Sequence, residues 1–273
     1  MATTGLTILL SVVTFNFWGL PDVGFQVLSP LRAERRIAVC EELKKSKWDL
    51  VFLQEVWVKE DRDALKKCGY DHSLDLENTK LAIDSGLLTL SRYPLSRPDR
   101  LTYAQPTQPN ISSDGESLVR KSAILARLEH PNGAVWVAQT HLVSVYDEKN
   151  DAYEARRLQQ LKAFVKWATG RAGSEPLIVG GDLNITPHQP LWKEVRAQLK
   201  DFTEAPQALD ACTICPPNPL HEVNEGKPDH LFISPGAFAD SGDTVLKDTF
   251  THEKDAIPLS DHYGWQTSFR IER

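Results

Sequence analysis

Short runs of apolar residues, most of them closed by polar residues, recur along the chain and predict a series of buried β-strands. One run alternates with the two-residue period of a strand, in which Val135, Val137, Gln139 and His141 share one face. His141 lies at the end of this run. The first run is apolar and rich in β-branched residues, so we interpret it as a buried strand. The predicted strands are Thr7–Asn16, Asp49–Val56, Gly86–Ser91, Ser122–Leu128, Ala134–His141, Leu177–Asp182, His230–Ile233 and Tyr263–Ile271.

Segments between these runs show the three- and four-residue spacing of amphipathic helices. The predicted helices are Leu31–Ser46, Lys59–Lys67, Glu148–Ala168 and Pro190–Leu199. In the third helix, one apolar stripe that suits packing against a sheet consists of Ala152, Ala155, Leu158, Leu161 and Val165. Thr102–Glu116 and Pro216–Lys227 are predicted to be long surface loops. Because no repeat or Gly/Ser-rich linker divides the chain, the pattern predicts one α/β layered domain over residues 1–273.

Composition excludes several classes of protein. The 273 residues are 41% hydrophobic and 25% charged, unlike disordered, collagen-like or multi-span membrane proteins. No segment has the roughly 20 apolar residues of a transmembrane helix, and the N-terminal stretch lacks the basic start and cleavage site of a secretory signal. We therefore expect a monomer without a transmembrane segment, located in the cytoplasm or peripherally at a membrane.

Charge and cysteine content limit the binding partners. The 31 Lys and Arg against 37 Asp and Glu give a formal net charge of -6, which disfavours broad binding to duplex DNA because that requires a basic surface. Four cysteines are too few for a disulfide framework in a chain of this length. Cys212 and Cys215 have CxxC spacing, but no second pair completes a zinc site and two prolines follow. We interpret them as loop cysteines without zinc or redox chemistry.

Several polar segments lie at the ends of the apolar strands. Each one alone has an ordinary explanation as a solvated turn or a helix cap. Strand ends on one side of an α/β sheet meet at one crevice, however, so several carboxylates and two histidines would converge there. The segments are Asn16, Gln54–Glu55, Thr140–Leu142, Gly180–Asn184, Pro228–His230 and Ser260–His262.

Carboxylates grouped in this way need a counter-charge. Two of them about 4 Å apart repel by roughly 4 kcal/mol at an effective dielectric constant near 20, so four together would protonate without a cation. Oxygen ligands favour Mg²⁺, with Mn²⁺ or Ca²⁺ as alternatives, and zinc ranks lower because no His-Glu-x-x-His helix occurs. A cation, a His–Asp pair that takes a proton from water and donors for an anion are the parts that phosphodiester hydrolysis requires.

In this order the segments resemble those of the endonuclease/exonuclease/phosphatase superfamily. The most specific matches are Gln54–Glu55, Gly181–Asn184 and Ser260–His262, and the resemblance extends from Thr14 to Gly264. The resemblance implies a metal-dependent phosphoesterase with a deoxyribonuclease-like fold, a four-layer α/β/β/α sandwich in which helices flank two packed mixed sheets.

Within this superfamily the chain is most similar to neutral sphingomyelinases. Asn16–Pro21 resembles their Asn-x-Trp-Gly-Ile/Leu-Pro start, and Glu55–Trp57 resembles their Glu-Val-Trp. The helix that follows Thr140–Leu142 carries further matches at Tyr146, Asp151, Tyr153, Ala155, Arg156 and Gln159. Thr102–Lys121 does not align with the family, which leaves the lipid substrate open.

The resemblance implies a metal site in which Glu55 is the main ligand and Asn16 and Asp261 complete the environment of Mg²⁺.

The resemblance also implies the catalytic roles. His262 would be the general base, with Asp229 fixing its tautomer and stabilising the imidazolium. Asp182 and Asn184 would orient the attacking water and the phosphate, and His141 would donate to a phosphate oxygen or protonate the leaving group. An exchange of the base role between His262 and Asp182 stays open.

Two classes of substrate are compatible with this site. A phospholipase C reaction would cleave a sphingophospholipid at a membrane surface into ceramide and a phospho-headgroup. The apolar loop after Asn16 could reach the headgroup boundary or fold over the core, and Trp57 could pack on a choline-like cation or lie in the core. The loop contains Phe17, Trp18, Leu20, Pro21, Val23, Phe25, Val27 and Leu28.

The alternatives are a nuclease or tyrosyl-DNA phosphodiesterase and an inactive binding module. Arg32, Arg35 and Arg36 are the candidate contacts for nucleic acid, but we interpret them as a solvated helix face. An inactive relative would lack a ligand or a base, whereas every expected residue is present in this sequence.

Overall fold

Two mixed β-sheets pack face to face, and helices cover the outer face of each. The computed structural model describes residues 6–22, 25, 27–76, 84–104, 116, 119–146, 151–207, 211–220 and 225–272. The arrangement is the predicted four-layer α/β/β/α sandwich, so the fold prediction is confirmed. Within these ranges no helix has the length and apolarity that crossing a bilayer demands.

The elements alternate along the chain as the apolar runs predict. The strands are β1 (Thr7–Asn16), β2 (Leu50–Gln54), β3 (His72–Leu74), β4 (Leu88–Ser91), β5 (Leu95–Thr102), β6 (Ser122–His130), β7 (Gly133–His141), β8 (Leu177–Asp182), β9 (Thr203–Glu204), β10 (Asp229–Ile233), β11 (Ala237–Ala239), β12 (Asp243–Val245), β13 (Thr249–His252), β14 (Asp255–Pro258) and β15 (Gly264–Glu272). The helices are α1 (Arg32–Lys45), α2 (Lys59–Leu65), α3 (Glu154–Ala172) and α4 (Trp192–Gln198).

In the first sheet, β1 lies between the parallel strand β2 and the antiparallel strand β15. The strand order is β11-β15-β1-β2-β4-β3, and β12 also pairs with β15. Because β15 runs opposite to β1, Trp265 near its start pairs with Thr14 near the end of β1. The ends of β1 and β2 therefore meet the start of β15 at one edge.

The second sheet has the order β5-β6-β7-β8-β10-β9. Strands β7 and β8 are parallel, and β10 is antiparallel to β8. This register places His141, Asp182 and Asp229 side by side on three neighbouring strands.

Apolar side chains from the inner faces of both sheets form one core. Burying each large side chain stabilises the fold by roughly 1.5–3 kcal/mol, so this core holds the two sheet edges in register with each other. Its fully buried members include Ile8, Leu10, Val12, Leu50, Phe52, Leu128, Val135, Ile178, Leu231 and Ile233.

All eight predicted strands and all four predicted helices occur, with ends that differ by a few residues. The short strands β3, β9 and β11–β14 were outside the prediction, as was β5. Strand β5 contains Pro98 and many polar residues because it lies at a sheet edge, where it pairs with β6 alone and its register shifts between Ser96 and Asp99.

The third helix begins later than its apolar spacing predicts. Asp151 forms a turn with Tyr153 and accepts a hydrogen bond from Arg157, so the helix starts at Glu154. Ala152 and Ala155, predicted as part of the buried stripe, are exposed. The buried side of α3 consists of Arg157, Gln160, Leu161, Phe164, Val165, Ala168 and Ala172.

The cysteines form two disulfides, Cys40–Cys68 and Cys212–Cys215. Cys212 and Cys215, interpreted as loop cysteines that are merely close in sequence, do lie in a loop but are bonded to each other. A β-bridge between Ile214 and Gly226 folds this loop back on itself, and the two Cα atoms are 6.0 Å apart, a normal spacing for a disulfide.

The two predicted loops fall partly outside the described residues. Of Thr102–Glu116, residues 105–115 lie outside them, and of Pro216–Lys227, residues 221–224 do. The described parts of the second loop, residues 216–220 and 225–227, contain no helix or strand beyond the isolated bridge of Gly226 to Ile214.

Candidate active site

The edges of the two sheets bring the predicted site residues together. Asn16 ends β1 and is paired with Gln54, so Glu55 follows directly beside it. The amide nitrogen of Asn16 donates to Glu55 Oε1 at 3.1 Å and to Asp182 Oδ2 at 3.0 Å. Asn16 thus joins a carboxylate of the first sheet to a carboxylate of the second.

The orientation of Asn16 bears on its predicted role as a metal ligand. Its amide oxygen accepts a hydrogen bond from the backbone N–H of Trp18 at 2.9 Å, while its nitrogen faces the two acids. A metal ligand needs the oxygen, so the role as a ligand stays a prediction. The geometry shown here makes Asn16 a bridge between Glu55 and Asp182.

His262 and Asp229 form the predicted pair. His262 Nδ1 donates to Asp229 Oδ2 at 2.9 Å, and His262 Nε2 lies 3.9 Å from Asp182 Oδ2. Burial lowers the pKa of His262, but the charge and hydrogen bond of Asp229 outweigh burial and raise it to about 10. The pair is therefore strongly polarised in the protein without a metal ion.

Two acids of the site hold their protons unusually strongly. Burial and the nearby Asp229 raise the pKa of Asp182 to about 7. Burial raises the pKa of Asp261 to about 6, and the charge of Glu55 adds to the effect. Such shifts indicate negative charge that lacks full compensation.

The oxygen donors of this cluster fit a divalent cation. Glu55, Asp182 and Asp261 supply carboxylate oxygens, the ligands that Mg²⁺ prefers. A group of three potential ligands among the described residues consists of Asp182, Asp229 and His262, with ligand atoms within 4.8 Å of one another. Within this group, Asp229 and His262 are already hydrogen-bonded to each other through Oδ2 and Nδ1.

His141 lies next to the acids and beside a lysine. Its Nε2 is 3.6 Å from Asp182 Oδ2, 3.8 Å from Glu55 Oε1 and 2.7 Å from Lys121 Nζ. Burial, with the charges of Lys121 and His262, lowers the pKa of His141 well below its usual range. As a neutral ring, His141 accepts from Lys121 at Nε2, so its predicted donation to a phosphate stays a prediction.

Asn184 is fixed by the turn that follows β8. Its backbone N–H donates to Asp182 Oδ1 at 2.8 Å, and its amide nitrogen donates to the carbonyl of Leu142 at 3.0 Å. Asn184 and Glu55 have φ values of 51° and 57°, in the left-handed region that non-glycine residues rarely adopt. Strained backbone of this kind clusters at functional sites.

Arg35 holds the loop after β1. The interpretation of Arg32, Arg35 and Arg36 as a solvated helix face is therefore wrong for Arg35. The guanidinium is fully buried and donates to the carbonyls of Phe17, Trp18 and Leu259. Arg32 and Arg36 form ion pairs with Asp61. Arg35 therefore holds backbone next to the site, and Arg32 and Arg36 are paired with an acid rather than free.

The apolar loop after Asn16 divides into a buried part and an exposed part. Phe17 is fully buried, whereas Phe25 and Val27 have relative exposures of 108% and 62%. Val23 lies outside the described residues. Phe17 therefore folds into the core, as one interpretation predicts, whereas contact of the exposed part with a lipid headgroup stays a prediction.

Trp57 is a core residue that also touches the site. It is 3% exposed, and its indole N–H lies 3.4 Å from Glu55 Oε2. Lys121 Nζ lies 5.8 Å from the centre of its ring. The ring contacts a cation from the protein, so its packing on a choline-like cation stays a prediction.

Two residues of the site, Lys121 and Thr213, were missed in the sequence, and Ser260 was placed in a predicted segment without a role of its own. Lys121 could have been found from the β6–β7 hairpin, since Ala123 pairs with Thr140 and Lys121 therefore lies near His141. Thr213 donates to Asp229 Oδ2 at 2.6 Å, and Ser260 donates to the carbonyl of Asn16 at 2.7 Å. No pattern in the sequence singles out the hydroxyl of Thr213, whereas Ser260 lies in the predicted segment Ser260–His262.

The fold and the site together define a class of protein: a deoxyribonuclease-like sandwich with acids and a His–Asp pair at one edge of both sheets. The chain belongs to the Endonuclease/Exonuclease/phosphatase family, whose model matches residues 13–262.

Two proteins related in sequence are named for activity on sphingolipids. An inositol phosphosphingolipids phospholipase C of Schizosaccharomyces pombe is 31% identical over 185 residues, which are 65% of this chain and 42% of that protein. Sphingomyelin phosphodiesterase 2 of Homo sapiens is 29% identical over 183 residues, 65% of this chain and 41% of that one. The chain thus spans about two-fifths of the length of these relatives.

The structure of beta toxin from Staphylococcus aureus has a similar fold. It superposes with a TM-score of 0.76 at 17% identity and covers 94% of this chain and 99% of the toxin. At this identity the likeness establishes the fold alone.

Proposed function

We propose that the chain is a Mg²⁺-dependent phosphodiesterase of phospholipase C type, which hydrolyses sphingomyelin or a related sphingophospholipid to ceramide and a phospho-headgroup. The observation that carries the proposal is the His262–Asp229 pair beside the Glu55 and Asp182 carboxylates. The names of the relatives support the choice of lipid.

The residues divide the reaction between them. His262 donates to Asp229 through Nδ1, so Nε2 is the atom that takes a proton from the attacking water. Asp182 and Asn184 orient that water and the phosphate, and Asp229 stabilises the imidazolium that forms. His141 would donate to a phosphate oxygen or protonate the leaving group.

The acidic side of the site would hold the cation. Glu55 and Asp261 would bind Mg²⁺, and Asn16 would complete the environment of the ion. When bound, the ion supplies polarisation of the phosphoryl oxygen and neutralises the carboxylates. The raised pKa of Asp182 and Asp261 supports this role, because an added positive charge lowers both.

The exposed Phe25 and Val27 support a lipid substrate. An aromatic ring and an aliphatic side chain are stabilised at the boundary between headgroups and acyl chains. A backbone-binding nuclease needs phosphate contacts from lysine and arginine, whereas the arginines of α1 are buried or paired with Asp61.

The test is an assay of purified protein with sphingomyelin in mixed micelles, in Mg²⁺ and in EDTA. We expect phosphocholine to be released in Mg²⁺ and not in EDTA. His262→Ala should lower kcat by about 10²–10⁴-fold, whereas the control His252→Ala should leave kcat unchanged. Cleavage of DNA or of a tyrosyl-DNA bond without release of phosphocholine would show a nuclease or tyrosyl-DNA phosphodiesterase. A folded protein inactive on all these substrates would be a binding module.

A further inference from the structure

The segment Cys212–Cys215 closes over the catalytic pair. Its disulfide brackets Thr213 and Ile214, and Thr213 is fully buried. The hydroxyl of Thr213 donates to Asp229 Oδ2 at 2.6 Å, the same oxygen that accepts from His262 Nδ1 at 2.9 Å.

Backbone and side-chain hydrogen bonds tie the same segment to both parts of the chain that carry the pair. The carbonyl of Thr213 accepts from the N–H of Tyr263, next to His262, at 2.7 Å. Its N–H donates to the carbonyl of Gly226 at 2.9 Å, three residues before Asp229. Three residues after the disulfide, Asn218 donates to the carbonyl of Ser260 at 2.8 Å.

The orientation of the Asp229 carboxylate depends on this arrangement. Its other oxygen, Oδ1, is buried and has no hydrogen-bond partner among the described residues. The carboxylate is thus held by two side-chain donors on a single oxygen, one from His262 and one from Thr213. His262 takes up and releases its proton at Nε2, so Oδ2 of Asp229 keeps both donors, His262 Nδ1 and the hydroxyl of Thr213, throughout the reaction.

We propose that Thr213 is a positioning residue for the Asp229–His262 pair, and that the Cys212–Cys215 disulfide makes this positioning sensitive to redox conditions. The proposal rests on the proposed function, in which the pair activates water. With the disulfide closed, Thr213 is confined beside Asp229. With it open, the segment gains conformational freedom and the hydroxyl leaves Asp229 more often.

The redox step requires a dithiol reductant. One thiolate of the reductant attacks a sulfur of the Cys212–Cys215 bond and forms a mixed disulfide, and its second thiolate then displaces the protein sulfur. Two electrons pass to the protein, which gains two protons and holds two thiols, and the reductant leaves as a disulfide. Cys212 and Cys215 are both partly exposed, whereas Cys68 of the other disulfide is fully buried.

The first experiment separates the hydroxyl from the fold. Thr213→Val keeps the shape and removes the donor, and we expect kcat to fall about 10–100-fold with KM and Tm nearly unchanged. Thr213→Ser restores the hydroxyl and should recover most of that loss. Equal kcat for the Val and Ser variants would overturn the positioning role.

A spectroscopic measurement gives a readout that does not depend on substrate. The proton on His262 Nδ1, assigned by its loss in His262→Gln, is expected downfield in the NMR spectrum because it is hydrogen-bonded to Asp229. Thr213→Val should shift or broaden this resonance. An unchanged resonance would contradict the proposal, and it would do so even if the protein hydrolysed no phosphodiester.

The second experiment tests the disulfide. Dithiothreitol should lower kcat of the wild type by about the same factor as Thr213→Val, and reoxidation should restore it. The double variant Cys212→Ser/Cys215→Ser should have the low kcat before treatment, and dithiothreitol should not change it. The double variant Cys40→Ser/Cys68→Ser should lose kcat in dithiothreitol as the wild type does. Mass spectrometry identifies the bond that has been reduced.

Two outcomes separate this proposal from the proposed function. If Cys212–Cys215 is reduced and neither kcat nor the His262 resonance changes, the redox sensitivity is wrong while the enzyme activity stands. If the oxidised protein hydrolyses no phosphodiester, the proposed function is wrong. The change of the His262 resonance on reduction then decides the positioning proposal by itself.

Discussion

Asn16 and Asp229 each serve two neighbours at the site. Asn16 donates to carboxylates of both sheets, and Asp229 accepts from His262 and Thr213 on one oxygen. Shared partners of this kind are sensitive to the loss of one member, because a buried polar group left without a partner is costly. The interaction of Asp229 with His262 depends on their charges, so it can be tested by titration of His262.

The pKa of His262 provides such a test. Its value of about 10 lies above the ordinary 6.5, through the charge and hydrogen bond of Asp229 against burial. The interaction therefore stabilises the metal-free fold fully below pH 6.5, and its contribution is lost as pH rises through 10. We expect Asp229→Asn to lower the pKa of His262, measured by NMR, and Mg²⁺ to lower it in the wild type.

The exposed Asp240→Asn is the control for this titration and should leave the pKa of His262 unchanged. A His262 that titrates near 6.5 in the metal-free wild type, or one that ignores Asp229→Asn, would show that the pair is not coupled as the distance indicates.

Among the elements, β7 and β8 set the row of site residues through their close approach at Gly181. A Cβ at Gly181 would lie 2.0 Å from the carbonyl oxygen of Thr140, and its φ of +121° is strained for other residues. We expect Gly181→Ala to lower the free energy of unfolding by about 2 kcal/mol or more and to reduce activity. Denaturant unfolding and the micelle assay measure both effects.

Gly170 in α3 is the matched control for that substitution. Nothing lies within 4 Å of a Cβ at this position, and alanine favours a helix over glycine by up to about 1 kcal/mol. Gly170→Ala should therefore be neutral or stabilising. Equal effects at both positions would mean that the approach of β7 to β8 is not what orders the site.

The same elements show what the sequence could predict. The acids and histidines at strand ends were found because the ends of β1, β2, β7 and β8 meet by topology. Lys121 was missed although the antiparallel pairing of β6 and β7 places it near His141, and Thr213 was missed because it reaches the site through a loop, which no spacing reveals. Arg35 was misread because a buried arginine that binds carbonyls has the same helical spacing as a solvated one.

At the scale of the whole molecule, the site lies where two sheets meet, so binding there should stabilise both. A ligand at 100 times its Kd adds about 2.7 kcal/mol to the free energy of unfolding. We expect Mg²⁺ to raise the Tm of the wild type and to have little effect on Glu55→Gln.

Glu60→Gln, on the exposed start of α2, is the control and should respond to Mg²⁺ like the wild type. The same rise of Tm in Glu55→Gln would place the stabilising ion elsewhere in the molecule.

The location of a bound cation tests the central claim most directly. Crystals grown with Mn²⁺ in place of Mg²⁺ allow the ion to be located by its anomalous scattering. We predict a peak in contact with the carboxylate of Glu55, on the side of the site away from the Asp229–His262 hydrogen bond. A peak bound by His262 and Asp229, or no peak near Glu55 at a Mn²⁺ concentration that supports hydrolysis, would contradict the account.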